Sequence, residues 1–278
     1  MRKMRATIGA TIAVAAMSLW PAFVETAVAQ QTSDDSALNL AQPDFTLAAL
    51  PTTLRLPKYK GSFRVTHRFA RPLGAGSFGS LAEDFFGIDS GAQIGLEFRY
   101  GIRSGTQLGF YRTSDRTIEF FAQHQVKRQT DSFPITIDAL AVAEGTNNFR
   151  DQYSPALGAV ISRTIGTRAA LYMQPVWVNN SNPLPSELVD HNDTMLLGLG
   201  GRLRIRPTVY IVIEGAPRVA GDDPNVTQMR VALEKRAGGH VFQLNFSNGI
   251  GTTFGQIARG GTGREDWYMG FNISRKFF

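Results

Sequence analysis

From residue 61 to the C-terminus the chain alternates apolar and polar side chains with a period of two, so whole faces of extended strands, not stripes of helices, must be hidden. Ile94, Leu96, Phe98, Tyr100 and Ile102 share one parity; Gln93, Glu97 and Arg99 share the other. Leu197, Leu199, Leu203 and Ile205 alternate with Arg202, Arg204 and Arg206, which sets three guanidinium groups in a row opposite an aliphatic ladder. The same alternation runs through 209–214, 228–236, 242–247 and 267–276, with weaker copies at 62–69, 105–112, 117–126, 135–144, 156–163 and 168–178. About twelve strands follow. At roughly eight to eleven residues each, they have the length a tilted strand needs to cross a bilayer.

Alternation alone does not separate a soluble β-sandwich, apolar face inward, from a membrane barrel, apolar face outward. The spacing of the connections does. Those around 103–105, 165–167, 206–208 and 237–239 are tight and 127–133 is moderately short, whereas 71–90, 145–154, 179–193, 218–225 and 249–265 are long. Short turns alternating with long loops is the sidedness of an outer-membrane barrel, interrupted only by the brief 113–116 connection. Aromatic residues near strand ends (Phe69, Tyr100, Phe110, Trp177, Tyr210, Trp267) match interface girdles. The chain closes on Phe277 and Phe278, and a terminal aromatic on an amphipathic strand resembles the assembly signal of bacterial outer-membrane proteins, with Phe278 as its terminal residue. The expected fold is therefore all-β: a transmembrane antiparallel up-and-down β-barrel of about 12 strands, outer-membrane type, spanning 61–278.

The preceding sixty residues differ in kind. Arg2, Lys3 and Arg5, an apolar run from Ala6 to Val24, and Ala27-Val28-Ala29 compose a signal peptide over 1–29, with cleavage before Gln30. Residues 30–60, Ser/Asp-rich and then Leu- and Pro-containing without a sustained period, read as a periplasmic N-terminal extension that either tucks into the lumen or stays disordered. Export places the mature chain in the bacterial outer membrane.

Composition removes several classes. With no cysteine there is no disulfide framework, thiolate metal site or cysteine nucleophile. Losing Arg2, Lys3, Arg5 and Glu25 lowers the formal charge from +6 to +4, and the basic residues are interleaved with acids, so nucleic acid is not a partner. Gly74-Ala75-Gly76-Ser77-Phe78-Gly79 spells a dinucleotide fingerprint, but the strand before it carries Arg64, Thr66 and Arg68 and no crossover helix fits before the next strand. Ser247-Asn248-Gly249 matches the serine motif of outer-membrane phospholipases, where a histidine two residues earlier is the base; here Asn245 stands there and His240 has the opposite parity. His67 and His124 fall on the apolar parity. His191, in Asp190-His191-Asn192-Asp193, with Asp222-Asp223 nearby in the chain, could form a rim site of protease type, although acidic outer loops ordinarily stay solvated or bridge cations to lipopolysaccharide. No catalytic residue, metal site or cofactor is assigned, and the chain is read as a non-enzyme.

Several stretches carry a family resemblance: LPTTLRLPKYKGSFRVTHRFARPL from Leu50, LAEDFFGIDSGAQIGLEFRYGI from Leu81, YRTSDRTIEFF from Tyr111, EGTNNFRDQYSPALGAVISR from Glu144, VNNSNPLPSELVDHNDT from Val178, EKRAGGHVFQLNFSNGIGTT from Glu234 and the close WYMGFNISRKFF. The chain resembles an uncharacterised bacterial family described as a membrane-bound β-barrel domain of unknown function. The resemblance covers nearly all of the mature chain and implies the fold and the membrane. It brings no activity.

Function is then expected from the lumen. Parity assigns Arg64, Arg68, Arg99, Arg202, Arg204, Arg206, Arg230 and Arg236 to the interior, with Glu97, Glu119, Asp138, Glu214 and Glu234. An arginine surplus in a confined pore favours anions. The leading class is a porin-like barrel passing small solutes through this charged lumen. The alternative is a non-conducting scaffold or anchor that binds a partner through its loops or N-terminal extension, with cross-strand pairs such as Arg204 and Arg206 against Glu214 filling the interior. An outer-membrane hydrolase is third. Partners are outer-membrane lipid and lipopolysaccharide, the barrel-assembly machinery and small solutes. Protein made in a Gram-negative host should start at or near Gln30 by N-terminal sequencing and fractionate with the outer membrane; recovery as a soluble periplasmic species would contradict the barrel.

Overall fold

The computed structural model describes residues 39–182, 184, 192–222 and 226–277. The signal segment, His191, Asp223 and Phe278 lie outside the described residues.

Thirteen strands make one sheet: β1 (Gly61–Phe69), β2 (Ala92–Arg103), β3 (Thr106–Thr113), β4 (Ile118–Lys127), β5 (Thr136–Gly145), β6 (Asp151–Ile165), β7 (Ala169–Asn179), β8 (Asp193–Arg206), β9 (Val209–Ala216), β10 (Arg218–Gly221), β11 (Gln228–Ala237), β12 (His240–Ser247) and β13 (Tyr268–Phe277). β9 and β10 are halves of one strand. Proline cannot donate a ladder hydrogen bond; the strand breaks at Pro217, whose carbonyl accepts from the Leu197 N–H (2.9 Å), and both halves pair with β8. Each remaining neighbour in sequence is an antiparallel neighbour in space, and β1 closes on β13 with Val65 opposite Ile273. The fold is a closed antiparallel barrel of twelve strands. Closure leaves no sheet edge, the condition for strands to cross hydrocarbon.

Tight connections gather at one end, called the turn end, where β1 begins and β13 stops; the long ones gather at the loop end. The first long loop holds a short helix, Phe78–Glu83, capped by Ser77, and a 3-10 turn, Phe85–Ser90. Because β1 and β2 on either side are antiparallel neighbours, 74–79 is not a dinucleotide turn, which needs a parallel crossover. Arg71 reaches from this loop to Asp84 and holds its carboxyl below the usual carboxylate range.

The outward face is the apolar parity. Leu199, Ile211, Val231 and Leu244 are each 40–44% exposed. Tyr210 is a correction to the girdle: it shares parity with Val212 and Glu214, is fully buried inside the barrel, and its hydroxyl donates to the Leu40 carbonyl (2.9 Å).

The interior also departs from a uniformly polar lumen. Charge is carried by β1, β2, β4, β9, β11 and β13, by the turn-end half of β8 and by the two ends of β5. The wall from β5 to β8 presents Leu140, Val142, Ala156, Val160, Tyr172, Val176 and Leu196, which pack in one cluster with Ala41, Leu47, Ala49 and Leu50. Of the residues read as a periplasmic extension, 40–54 and Leu56 are buried or nearly so, because the chain runs up into the barrel before turning back to start β1. Apolar wall and apolar segment cover one another.

An arginine on the outward belt should be far more costly than one on the turn-end rim. Val231→Arg or Leu244→Arg should lose about 2–4 kcal/mol of folding free energy near mid-bilayer, against under about 1 kcal/mol for Lys235→Arg, measured by reversible denaturant unfolding in liposomes.

Candidate functional site

The site is built around a turn inside the barrel. Residues 46–51 fold back on themselves: Leu47 N–H donates to Leu50 O (2.8 Å), Thr52 N–H to Phe45 O (2.8 Å), and Thr46 bridges Pro51. This turns the N–H groups of Ala48, Ala49 and Leu50 to one side, where they donate to the Glu214 carboxylate at 2.9–3.1 Å. Successive N–H groups gathered in a turn form an anion-binding concavity. Glu214 reaches it from β9 while Arg230, directly opposite on β11, donates to the same carboxylate at 2.7 Å.

The carbonyls of the turn serve the opposite charge. Arg202 Nη2 donates to Thr46 O (2.7 Å), Arg68 Nη2 to Ala48 O (3.2 Å), Asn272 Nδ2 to Ala48 O (2.8 Å), and Gln243 Nε2 to Leu47 O (3.0 Å). Gln174 and Gln123 donate to Pro51 O and Thr52 O. On the apolar side Leu47 lies against Gly200: a Cβ there would sit 2.3 Å from Leu47 Cδ1, so only glycine leaves room for the leucine. The segment is thus held as a plug by both polar and apolar parts of the wall.

Around the plug the wall charges pair. Arg202 grips Glu234 through Nε (2.7 Å) and Nη2 (2.8 Å), a bidentate contact made past the intervening β9. Glu97 takes Arg64 from β1 and Arg99 from its own strand. Arg99 also lies over the Phe121 ring, 4.4 Å from its centroid. Arg68, fully buried, relies on carbonyls and on Asn272 Oδ1 (2.8 Å). Isolated buried charges are costly, so these ion pairs and the carbonyl and amide contacts of Arg68 offset the cost of the belt.

Of the thirteen charged residues assigned to the lumen, Arg64, Arg68, Glu97, Arg99, Glu119, Asp138, Arg202, Glu214, Arg230 and Glu234 are buried inside. Arg204, Arg206 and Arg236 are not. They stand beside the turns that follow β8 and β11, where side chains leave the enclosed volume; Arg206 is exposed, and Arg204 donates to Pro207 O (3.1 Å). Register also separates Arg204, opposite Tyr210, from Glu214, opposite Gly200, so the expected Arg204 and Arg206 pairing with Glu214 does not form. Two charges were missed: Lys276 shares the inward parity of Asn272 and Ser274, and Glu144 lies directly opposite Glu119. Among the described residues six strand cations (Arg64, Arg68, Arg99, Arg202, Arg230, Lys276) then face six strand acids inside. The arginine surplus that motivated anion preference belongs to the turn-end mouth.

Above the plug, the long loop between β12 and β13 folds inward. Its helix, Phe254–Ala258, is wholly buried and begins in a capping box of Thr253 and Gln256. Glu119 accepts from the Phe254 N–H (2.9 Å), Glu144 from the Gly255 N–H (2.8 Å), and Arg218 donates to the Ala258 carbonyl (2.9 Å) at the other end. Carboxylates at the first N–H groups and a cation at the last carbonyls suit the helix dipole. A cavity of about 20 Å³, room for roughly one water, lies between this helix and the plug. At the turn end a polar cavity of about 320 Å³ opens between Gln42, Arg55, Arg128 and Thr164.

Among the described residues the serine motif finds no histidine base. Ser247 Oγ donates to Gly249 O (2.7 Å) at the loop end, whereas His240 sits at the far end of the same strand. His67 stacks on Phe271 outside the barrel and His124 bonds Thr106. Of the candidate rim cluster, Asp193 accepts from Trp177 Nε1 and Asp222 from Asn182. Among the described residues no three His, Asp or Glu side chains gather as metal ligands.

A closed, charge-lined twelve-strand barrel with an apolar outer belt is a membrane β-barrel. Residues 44–277 match the membrane bound beta barrel domain (DUF5777), and the chain belongs to that family. The structure is similar to the NanC porin (TM-score 0.52, 7% identity, 79% of this chain and 99% of that one). It is also similar to the COG4313 outer membrane channel from Pseudomonas putida F1 (TM-score 0.51, 12% identity, 80% and 97%). At such identities the likeness is one of fold. No curated protein matches the sequence.

Glu214→Ala would strand Arg230 and three plug N–H groups together. The expected loss is about 3–5 kcal/mol of stability, read by denaturant unfolding, whereas Arg206→Ala at the exposed rim should change little.

Proposed function

We propose that the protein is a porin-type barrel of the bacterial outer membrane whose passage is shut by its own N-terminal segment. The carrying observation is the plug turn at 46–51, which satisfies Glu214, Arg202 and Arg68 simultaneously. The porin and channel named above support the passage class. A polar turn-end cavity leads toward the plug, and the inward loop helix sits beyond it. Solute passage requires displacing residues 40–56, and the ten buried charges assigned from sequence would then line the route. With interior charges balanced six to six, the opened route has weak ion selectivity, and Arg204, Arg206 and Arg236 at the mouth bias entry toward anions. No catalytic step is assigned.

Planar-bilayer conductance tests this directly. The full chain should be silent or nearly so, whereas a chain lacking 39–57, or carrying Gly200→Leu to exclude Leu47, should conduct steadily. Steady conductance from the full chain would overturn the closed state. A folded, heat-modifiable barrel that stays silent without its plug would move the protein to the scaffold class.

A further inference from the structure

The outward parity carries cations at Arg112, Arg163, Lys235 and Arg275, and the last two lie near each other. Along β13 the outward parity runs Met269, Phe271, Ile273, Arg275 and Phe277, so a guanidinium stands among apolar groups on the outer surface. Arg275 is opposite His240 on β12, its Nη1 3.1 Å from the imidazole nitrogens, and opposite Phe63 on β1. Lys235 lies on β11, where it pairs with Phe242 on one side and Val209 on the other. The two are separated by one strand, about 10 Å laterally, and both lie within a few residues of the turn that joins β11 to β12. Among the described residues neither cation has an ion-pair partner.

Beside Lys235 the outer surface is concave, and Arg275, opposite His240, stands next to the groove's Phe242–Ile273 pair on the turn-end side. A groove of about 440 Å³ is lined by Lys235 and by Val209, Leu233, Phe242, Leu244, Phe271 and Ile273. A barrel's outer surface is ordinarily convex, and lipid chains pass over it without a defined seat. Here an apolar channel runs up the bilayer from Lys235 at the membrane boundary, with Arg275 just beyond its turn-side end. At that depth a cation is tolerated, since its stem covers apolar surface while its head reaches the headgroup layer. An arginine and a lysine without protein acids are chemically complementary to phosphate, which guanidinium can bind through two parallel N–H groups.

We propose that this groove is a binding site for one anionic phospholipid from the leaflet on the turn side. Its phosphate meets Arg275 and Lys235, and one acyl chain lies along Leu233, Phe242, Leu244, Phe271 and Ile273. His240 steadies the Arg275 guanidinium. The site is independent of whether the barrel conducts.

Native mass spectrometry of the full chain, released from detergent after titration with phosphatidylglycerol or phosphatidylcholine of identical chains, tests it. The wild type should retain one phosphatidylglycerol in preference to phosphatidylcholine. Lys235→Gln with Arg275→Gln should weaken that adduct about tenfold, the loss expected of charge-assisted contacts. Both residues are outward, so heat-modifiable mobility on a gel will report whether the variant remains folded. Leu244→Ala, which leaves the cations in place, should weaken both lipids alike and so separate the chain contribution from the headgroup contribution. Equal retention of the two lipids by the wild type would overturn the site. So would a phosphatidylglycerol adduct undiminished in the folded double variant, or a dimer of the chain, lost on Leu244→Ala, in place of a lipid-bound monomer.

Discussion

The interior hangs on one carboxylate. Glu214 binds a strand arginine and three backbone N–H groups of a segment more than 160 residues away in sequence. A buried anion needs several donors, and β9 and β11 alone supply one cation, so the plug completes what the wall begins. The relation is mutual. Without Glu214 the turn at 46–51 would point three unpaired N–H groups into a dry interior, and without the turn Arg68 and Arg202 would lose carbonyl partners.

This mutual dependence explains the division of the lumen. Charges concentrate where turn carbonyls and N–H groups can reach them, and the aliphatic cluster from β5 to β8 lies where Leu47 and Leu50 press against the wall. A water-filled porin would need polar groups all round. Here the wall is matched to a peptide, and the loop helix latched by Glu119 and Glu144 extends the same device to the other end. Packed, paired chain therefore fills the interior at two levels, and displacing it would exchange those contacts for water.

The strand pattern was legible because lipid demands it. Most outward positions from Ile94 to Ile273 are apolar, so period two survived in the sequence and showed strand number, sidedness and outward parity. The weak copies at 135–144, 156–163 and 168–178 are weak for a physical reason: Leu140, Val160 and Val176 face the plug, so both faces of those strands are apolar and alternation fades. Tyr210 misled because a ring near a strand end suggests a girdle, whereas parity, which put it with Glu214, was the stronger indicator.

What the sequence by itself determined is the barrel: closed strands, an outward apolar belt and the inward parity of Arg64, Arg68, Glu97, Arg202, Glu214, Arg230 and Glu234. These follow from local alternation and need no knowledge of partners. What only the tertiary structure decided is which groups meet. Arg202 reaches Glu234 past a whole strand, Glu214 finds the plug instead of Arg204, and Arg204, Arg206 and Arg236 fall outside the enclosed volume because of where the turns lie. An aperiodic stretch such as 40–56 has no repeat to place it. Its position is fixed by the shape of the cavity and by hydrogen-bond partners that come together only when the sheet closes.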